Sequence, residues 1–324
     1  MKAISVKSFL VLNVALLLSV GMLTFSCKKD KDDDSAKPDQ ATINAEISKQ
    51  SVQAADESAL QAESDDAIAL ATDTVLAEMP NYYGGRLAAV SVCGGTITKD
   101  SADRSFTITF DNSSICANKI RSGSIKVKLT TGNHFRDAGS VLSLTFTDYN
   151  VRRTIGDSTR NFKFNGTHTV ENVNGGQLAS LTVSNPVVWK IRGNMSINFD
   201  NGTVKRSWKV YRKRTFAREG VFNYTSTLEG DTTINSVSGF TEVGTNRFGD
   251  DYTVQVSTPV VSGNLCGWWR PKSGVKLFSG IKHNITLTYG VNALGSPVES
   301  GCAGFFKIAW NGADGVARTK VIRY

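Results

Sequence analysis

Between Lys205 and Arg218, seven bases fall in fourteen residues with no acid among them: Lys205, Arg206, Lys209, Arg212, Lys213, Arg214 and Arg218. Trp208 and Tyr211 interleave with them. Guanidinium and ammonium groups beside aromatic rings can grip phosphate, sulfate or uronate groups while a ring stacks on a sugar. Successive strand side chains point to opposite faces. Arg206, Arg212 and Arg214 therefore share a face with Trp208 and Val210, and Lys205, Lys209 and Lys213 share the other with Tyr211. Both faces are then basic. The plainer reading is an exposed strand kept from aggregating by its charges, with long stems covering the sheet. Lys205, Arg206, Trp208, Lys209, Arg212, Lys213 and Arg214 are the candidate residues for an anionic ligand, with anionic polysaccharide as the partner class. No nucleic-acid fold motif accompanies them, so nucleic acid is not expected as a partner.

Other chemistry is thinner. Asp148, Glu229, Asp250, Asp251 and Glu299 are the loose acids that a surface polysaccharide-degrading enzyme, a glycoside hydrolase or lyase, would need. Such acids occur in the loops of any β protein. There is no G-x-S-x-G nucleophile elbow, so no catalytic residue is assigned. The glycines cluster in turns rather than phosphate loops, and no cofactor is expected. His134, His168 and His283 are isolated, without H-x-x-H or H-E-x-x-H spacing, and are read as surface residues rather than metal ligands. Trp268-Trp269 beside Cys266 offers a sugar platform, but on a strand only one of the two can be exposed, and core packing is the plainer reading.

Cys93, Cys116, Cys266 and Cys302 form an even set, which in an exported chain implies two disulfides with three connectivities. Cys93 and Cys116 bracket one expected hairpin, and Cys266 and Cys302 bracket the C-terminal ones, which favours these local pairs. Each would close a loop of about 24 to 37 residues, worth roughly 3–4 kcal/mol in the chain-entropy model. The four lack any C-x2-C pair, which argues against zinc.

Export itself is written at the start. Met1–Lys7 carries two lysines and no acid, Ser8–Phe25 is an almost uninterrupted apolar run, and Ser26-Cys27 follows. That is a secretory signal ending in a lipidation cysteine. Acyl chains on Cys27 would hold the chain at a membrane. The alternative is an uncleaved anchor, for which the run is at the lower edge of a bilayer-spanning length. Ser before the cysteine and Lys28-Lys29-Asp30 after it resemble Bacteroidota lipoproteins, in which an acidic run such as Asp32–Asp34 resembles a signal for export to the outer leaflet. That implies an outer-membrane, surface-exposed protein.

Further stretches resemble a group of Bacteroidota surface lipoproteins. Arg121-Ser122-Gly123-Ser124-Ile125-Lys126-Val127 with Arg136-Asp137-Ala138-Gly139-Ser140 is similar to their R-x-G-x-I-x-V and R-D-x-G-S passage after a cysteine, here Cys116. Asn201–Trp208 with Gly244–Gly249, and the unit from Cys266 to Cys302, resemble them too. The resemblance runs over residues 90–324 and implies a secreted, all-β, lipid-anchored protein without an assigned activity. Asp34-Ser35-Ala36, Asp73-Thr74-Val75 and Asp100-Ser101-Ala102 resemble short O-glycosylation sites of the same group.

The elements that must position these residues divide by charge. The chain of 324 residues has a formal charge of +8. Residues 28–80 carry five lysines against thirteen acids, and residues 81–324 carry thirty bases against sixteen acids. A basic body thus hangs from an acidic leash. With 40% hydrophobic residues, six prolines and 29 glycines, collagen, low-complexity and polytopic membrane classes are excluded. We expect a signal peptide at 1–26, a disordered charged tether at 27–40, a short N-terminal helical segment at 41–80, and a β-rich body at 81–324. Ser64-Asp65-Asp66 offers a helix start, and Ile68, Thr72, Val75 and Leu76 share a helical face. From Tyr82 onward, alternating runs such as Ser105–Phe110, Gly123–Leu129 and Val141–Thr147 are punctuated by hairpin signals such as Asn165-Gly166 and Asn311-Gly312. The fold class is therefore mainly β, an antiparallel meander or sandwich of about 12–16 strands, with two subdomains meeting near 185–205. The function this supports is a lipid-anchored, non-catalytic structural or binding module of the cell envelope that contacts anionic glycan.

Overall fold

Residues 40–78 contain neither glycine nor proline, and they form one continuous helix, α1 (Gln40–Glu78). Asp39 caps it, accepting the Thr42 N–H at 2.7 Å. The expected start at Ser64-Asp65-Asp66 is instead mid-helix, because those side chains have partners on the sheet that a cap would not need. The structure, a computed structural model, describes residues 38–78, 91–155, 158–200, 204–221 and 223–324. The signal peptide, Cys27, the tether up to residue 37, and Pro80 with Gly84-Gly85 lie outside the described residues. No helix among those described is long and apolar enough to cross a membrane.

The body is one antiparallel sheet of fifteen described strands. The first seven are β1 (Gly95–Asp100), β2 (Ser105–Cys116), β3 (Lys119–Thr131), β4 (Ser140–Ile155), β5 (Ser158–Asn172), β6 (Val187–Phe199) and β7 (Val204–Arg218). They follow one another as a meander, as short hairpin links dictate. Next come β8 (Tyr224–Gly230), β9 (Thr232–Ile234), β10 (Val237–Thr245) and β11 (Asp251–Gly263). β7 pairs with both β8 and β10, and β11 also pairs with both. β12 (Ser273–Ser279), β13 (Ile285–Val291), β14 (Phe305–Asn311) and β15 (Ala317–Arg323) complete the meander.

Bulges bend the strands. Gly123, at φ +77°, faces Asp148 at φ +47°, where the β3–β4 register shifts. A Cβ on Gly123 would fall 2.1 Å from the Asp148 carbonyl oxygen, so only glycine fits.

The sheet surrounds the helix. α1 bonds to strands from β3 (Lys119–Glu63) to β14 (Trp310–Glu46). A helix so largely covered is normally apolar over most of its surface. This one is rich in small residues and acids, and Ala54, Ala62, Ala67 and Ala71 let the strands approach closely. Ile68, Thr72 and Val75 are buried together as expected.

Two apolar clusters result. One joins β1–β7 to the later half of α1 through Leu60, Ile68, Ala71 and Val75. The other joins β8 and β11–β14 to Ala54 and Ile47. Over the described part of 185–205, β6 and β7 pair residue for residue from Val187–Phe216 to Phe199–Val204. The apolar clusters are divided by a buried layer of charge. Cys93 is joined to Cys116 and Cys266 to Cys302, with sequence separations of 23 and 36. On the chain-entropy account each is worth roughly 3–4 kcal/mol.

Candidate functional site

Alternation along β7 divides the basic run as its spacing requires, but the two faces meet different surroundings. Arg206, Trp208, Val210, Arg212 and Arg214 point inward and are buried. Arg206 Nη2 donates to Glu57 Oε2 at 2.9 Å, and Arg212 Nη2 to Glu242 Oε1 at 2.7 Å. Arg214 donates to Asp65, and to Ser226 Oγ at 3.1 Å. Trp208 Nε1 donates to Glu242 Oε2 at 2.7 Å. Lys276 from β12 enters the same layer, 2.6 Å from Gln61 Oε1, 3.6 Å from Glu57 and 3.5 Å from Glu242. The guanidinium planes cover rings, Arg206 over Tyr252 at 4.5 Å and Arg212 over Trp208 at 5.2 Å.

Burial, and then the Glu242 carboxylate beside it, push the Glu57 carboxyl up to about 7. In Glu242 burial acts the same way, but Arg212 and Lys276 outweigh it and hold that carboxyl well below its usual range. The inward arginines and Trp208 are therefore corrected as ligand-binding candidates: the acids of α1 and β10 already occupy them.

The same rule extends along the helix. Glu63 takes Lys119 at 2.8 Å, and Asp56 takes Arg247 at 2.5 and 2.8 Å. Sequence reasoning placed these acids on a leash and missed them as partners. The signal was present, since Asp56, Glu57, Glu63, Asp65 and Asp66 stand in a segment able to form a helix while the body holds surplus cations.

Lys205, Lys209 and Lys213 point outward with Tyr211. Lys213 pairs with Glu229 at 3.1 Å. Lys205 and Lys209 are exposed and make no ion pair among the described residues. In register they face Asn198 and Asn194 of β6, so two cations stand among amides on an open sheet surface.

The loose acids do not assemble. Asp148 pairs with Lys163 at 3.4 Å and Asp250 with Lys49 at 2.9 Å, while Asp251, at the start of β11, and Glu299, before β14, are exposed and far apart in sequence. The histidines differ from expectation in one case. His134 contacts Asp137 at 3.3 Å and His283 contacts Glu46 at 3.7 Å. His168, read as a surface residue, is 1% exposed, because its imidazole fills the space above Gly193, where a Cβ would lie 2.4 Å from it. Burial, aided by Arg212, pushes its pKa down to about 3. Thr74, in one of the glycosylation-like triplets, is fully buried and donates to the Leu70 carbonyl, whereas Ser101 lies in an exposed turn.

Among the described residues, two cavities stand out between the helix and the sheet. The larger, about 310 Å³, is lined by Trp189, Phe216, Tyr224 and Trp268 together with Asp65, Asp66 and Asp73. Two of its carboxylates are held by cations. Asp65 accepts from Arg214 and Asp66 from Lys119. Asp66 and Asp73 are seven residues apart on one helix, about 10.5 Å along its axis. The smaller cavity, about 210 Å³, is lined by Trp269, Arg153, Arg160 and Arg323. Trp268 packs on the apolar core and Trp269 is exposed, so the pair divides between core and solvent.

Comparison with protein-family models, curated proteins and solved structures finds no match to this chain.

Proposed function

We propose that the protein is a non-catalytic binding or structural β module of the cell envelope, held at the membrane by lipid on Cys27, whose outer surface contacts anionic glycan. One observation carries this reading. The helix fills the inside of the sheet with ion pairs, which leaves the outer β5–β7 surface, where Lys205 and Lys209 are exposed without an ion pair among the described residues, as an accessible face. An outward sheet surface carrying exposed cations suits an extended anionic polymer.

The anchor is tested by metabolic labelling with a radioactive fatty acid. The parent protein should be labelled and Cys27→Ser should not; equal labelling of both removes the anchor. The glycan contact is tested on an array of sulfated and uronic polymers at low ionic strength. Binding should weaken steeply with salt, because exposed charges are screened within about 8 Å at physiological ionic strength. Lys205→Ala with Lys209→Ala should reduce it several-fold. Absence of any anionic ligand at low salt would leave only a structural role, and release of reducing ends from a polymer would make the protein an enzyme.

A further inference from the structure

Trp269 stands over an opening that the basic strand does not reach. The chain leaves β11 through the turn Asn264–Cys266, which the Cys266–Cys302 disulfide ties down. That anchoring holds Trp269 against the end of β15, its ring 6.3 Å from that of Tyr324. Arg270 lies 4.7 Å from the Trp269 ring centroid and Arg153 lies 5.6 Å from it. A large aromatic side chain 37% exposed, with cations against it, is a poor core residue and a good platform.

Beneath it, the smaller cavity runs between α1, the β4–β5 pair and the β14–β15 pair. Its floor is Ala55, Ser58, Ala59 and Ala62, whose spacing of three and four puts them on one helical face. Being small, they leave the space open. Its walls carry Arg153, Arg160 and Arg323. The lining acid is Glu63, 1% exposed and bonded to Lys119 at 2.8 Å, with Arg153 at a longer 3.7 Å. Arg160 donates one N–H to the Ala55 carbonyl at 3.3 Å, and Arg323 makes no ion pair among the described residues. Arg153, Arg160 and Arg323 thus line a small cavity, while the carboxylates near them, Glu63 and Asp56, are bonded to Lys119 and Arg247.

The occupant must carry negative charge for the arginines and a flat, partly apolar face for Trp269, and it must be small. A free phosphate lacks the face, and a neutral sugar leaves the guanidinium groups unused. A sugar ring bearing a carboxylate meets both needs, since a carboxylate matches the planar fork of arginine. We propose that this cavity seats one uronate ring of an anionic glycan, with the ring on Trp269 and its carboxylate among Arg153, Arg160 and Arg323. The inference rests on the reading of the protein as an anionic-glycan binder. It adds a discrete seat to the diffuse attraction of the outer lysines.

The test uses the full-length protein in detergent, with a uronic-acid disaccharide and its neutral methyl ester as probes. The disaccharide is too short to reach both the cavity and the outer lysines. Calorimetry and tryptophan emission at low ionic strength are the readouts. The disaccharide should bind with a change in emission, and the ester about tenfold more weakly or worse. Trp269→Ala and Arg323→Ala, both at exposed positions, should each weaken the disaccharide about tenfold, which corresponds to about 1.4 kcal/mol. Lys205→Ala with Lys209→Ala should leave it within about twofold. If the lysine variant loses the disaccharide while the other two keep it, the seat is on the outer face; the cavity inference fails and the glycan reading stands. Equal binding of the ester would remove the role of the arginines. Failure of both disaccharide and long polymer to bind would overturn the inference and the glycan reading together.

Discussion

Replacing Arg212 by methionine should destabilise the protein by about 3–5 kcal/mol, the usual effect of removing one partner from a buried ion pair. Arg212 is 0% exposed and is bonded to Glu242, also 0% exposed, at 2.7 Å, with Asp65 at 3.5 Å. Methionine fills much of the space but leaves two carboxylates short of a cation in a dry layer. Its neighbour Lys213 is half-exposed and holds Glu229 across an open surface, so Lys213→Ala should change stability by less than about 1 kcal/mol. Urea denaturation of the two variants decides the matter. Equal, small losses would mean that the arginine face of β7 does not meet the helix. Replacing Arg212 and Glu242 together by methionine and leucine should not recover the loss, because Lys276, 3.5 Å from Glu242, and Asp65, 3.5 Å from Arg212, each lose a partner.

Acid should unfold the protein partly through one histidine. His168 is held neutral down to about pH 3 by burial, with Arg212 adding to the effect, whereas in the unfolded chain it titrates near 6.5. Between those values the unfolded state binds the extra proton. The contribution is therefore intact above pH 6.5 and is lost as pH falls below it, at about 1.4 kcal/mol per pH unit. Glu57 works in the opposite direction. Its folded pKa is raised to about 7, so between the usual glutamate value of 4.5 and pH 7 the folded state binds the proton and gains stability on acidification. The total pH profile of the parent is thus flattened in that interval, and the histidine is isolated by difference. His168→Gln, compared with the parent by guanidinium melts from pH 7 to pH 4.5, should start less stable, from lost contacts with Phe146 and Trp208. The gap should then close as pH falls. A gap constant over that range would show that His168 does not sit neutral in the core.

Much of the architecture was legible in local pattern. Alternation of apolar and polar residues marked the strands, and Asn-Gly and Gly-Asp pairs marked the turns. The helical segment, expected at 41–80, is Gln40–Glu78, because a run rich in alanine and free of glycine and proline has no other economical backbone. The cysteine pairs followed from the hairpins they bracket. The division of β7 into an arginine face and a lysine face was also legible, because a period of two is a property of the strand alone.

What each face meets was not legible, because it depends on chain segments far apart. Arg206 reaches Glu57 across 149 positions, and Lys276 reaches Gln61 across 215. A sequence shows that cations and acids are both present; which pairs form depends on the sheet curling round the helix, and that closure arises from bulges and long-range packing. Hence local pattern assigns the acids at 56–66 to the acidic leash and His168 to the surface, whereas the folded sheet pairs the acids and buries the histidine. The Trp269 cavity was likewise beyond sequence, since its arginines come from β4, β5 and β15 and its floor from α1. By itself the sequence determined the elements, the alternation of their faces and the local cysteine partners, because these are set by interactions within a few tens of residues. Only the tertiary structure decided which charges are neutralised inside and which remain exposed, because burial and pairing are properties of the sheet folded round the helix.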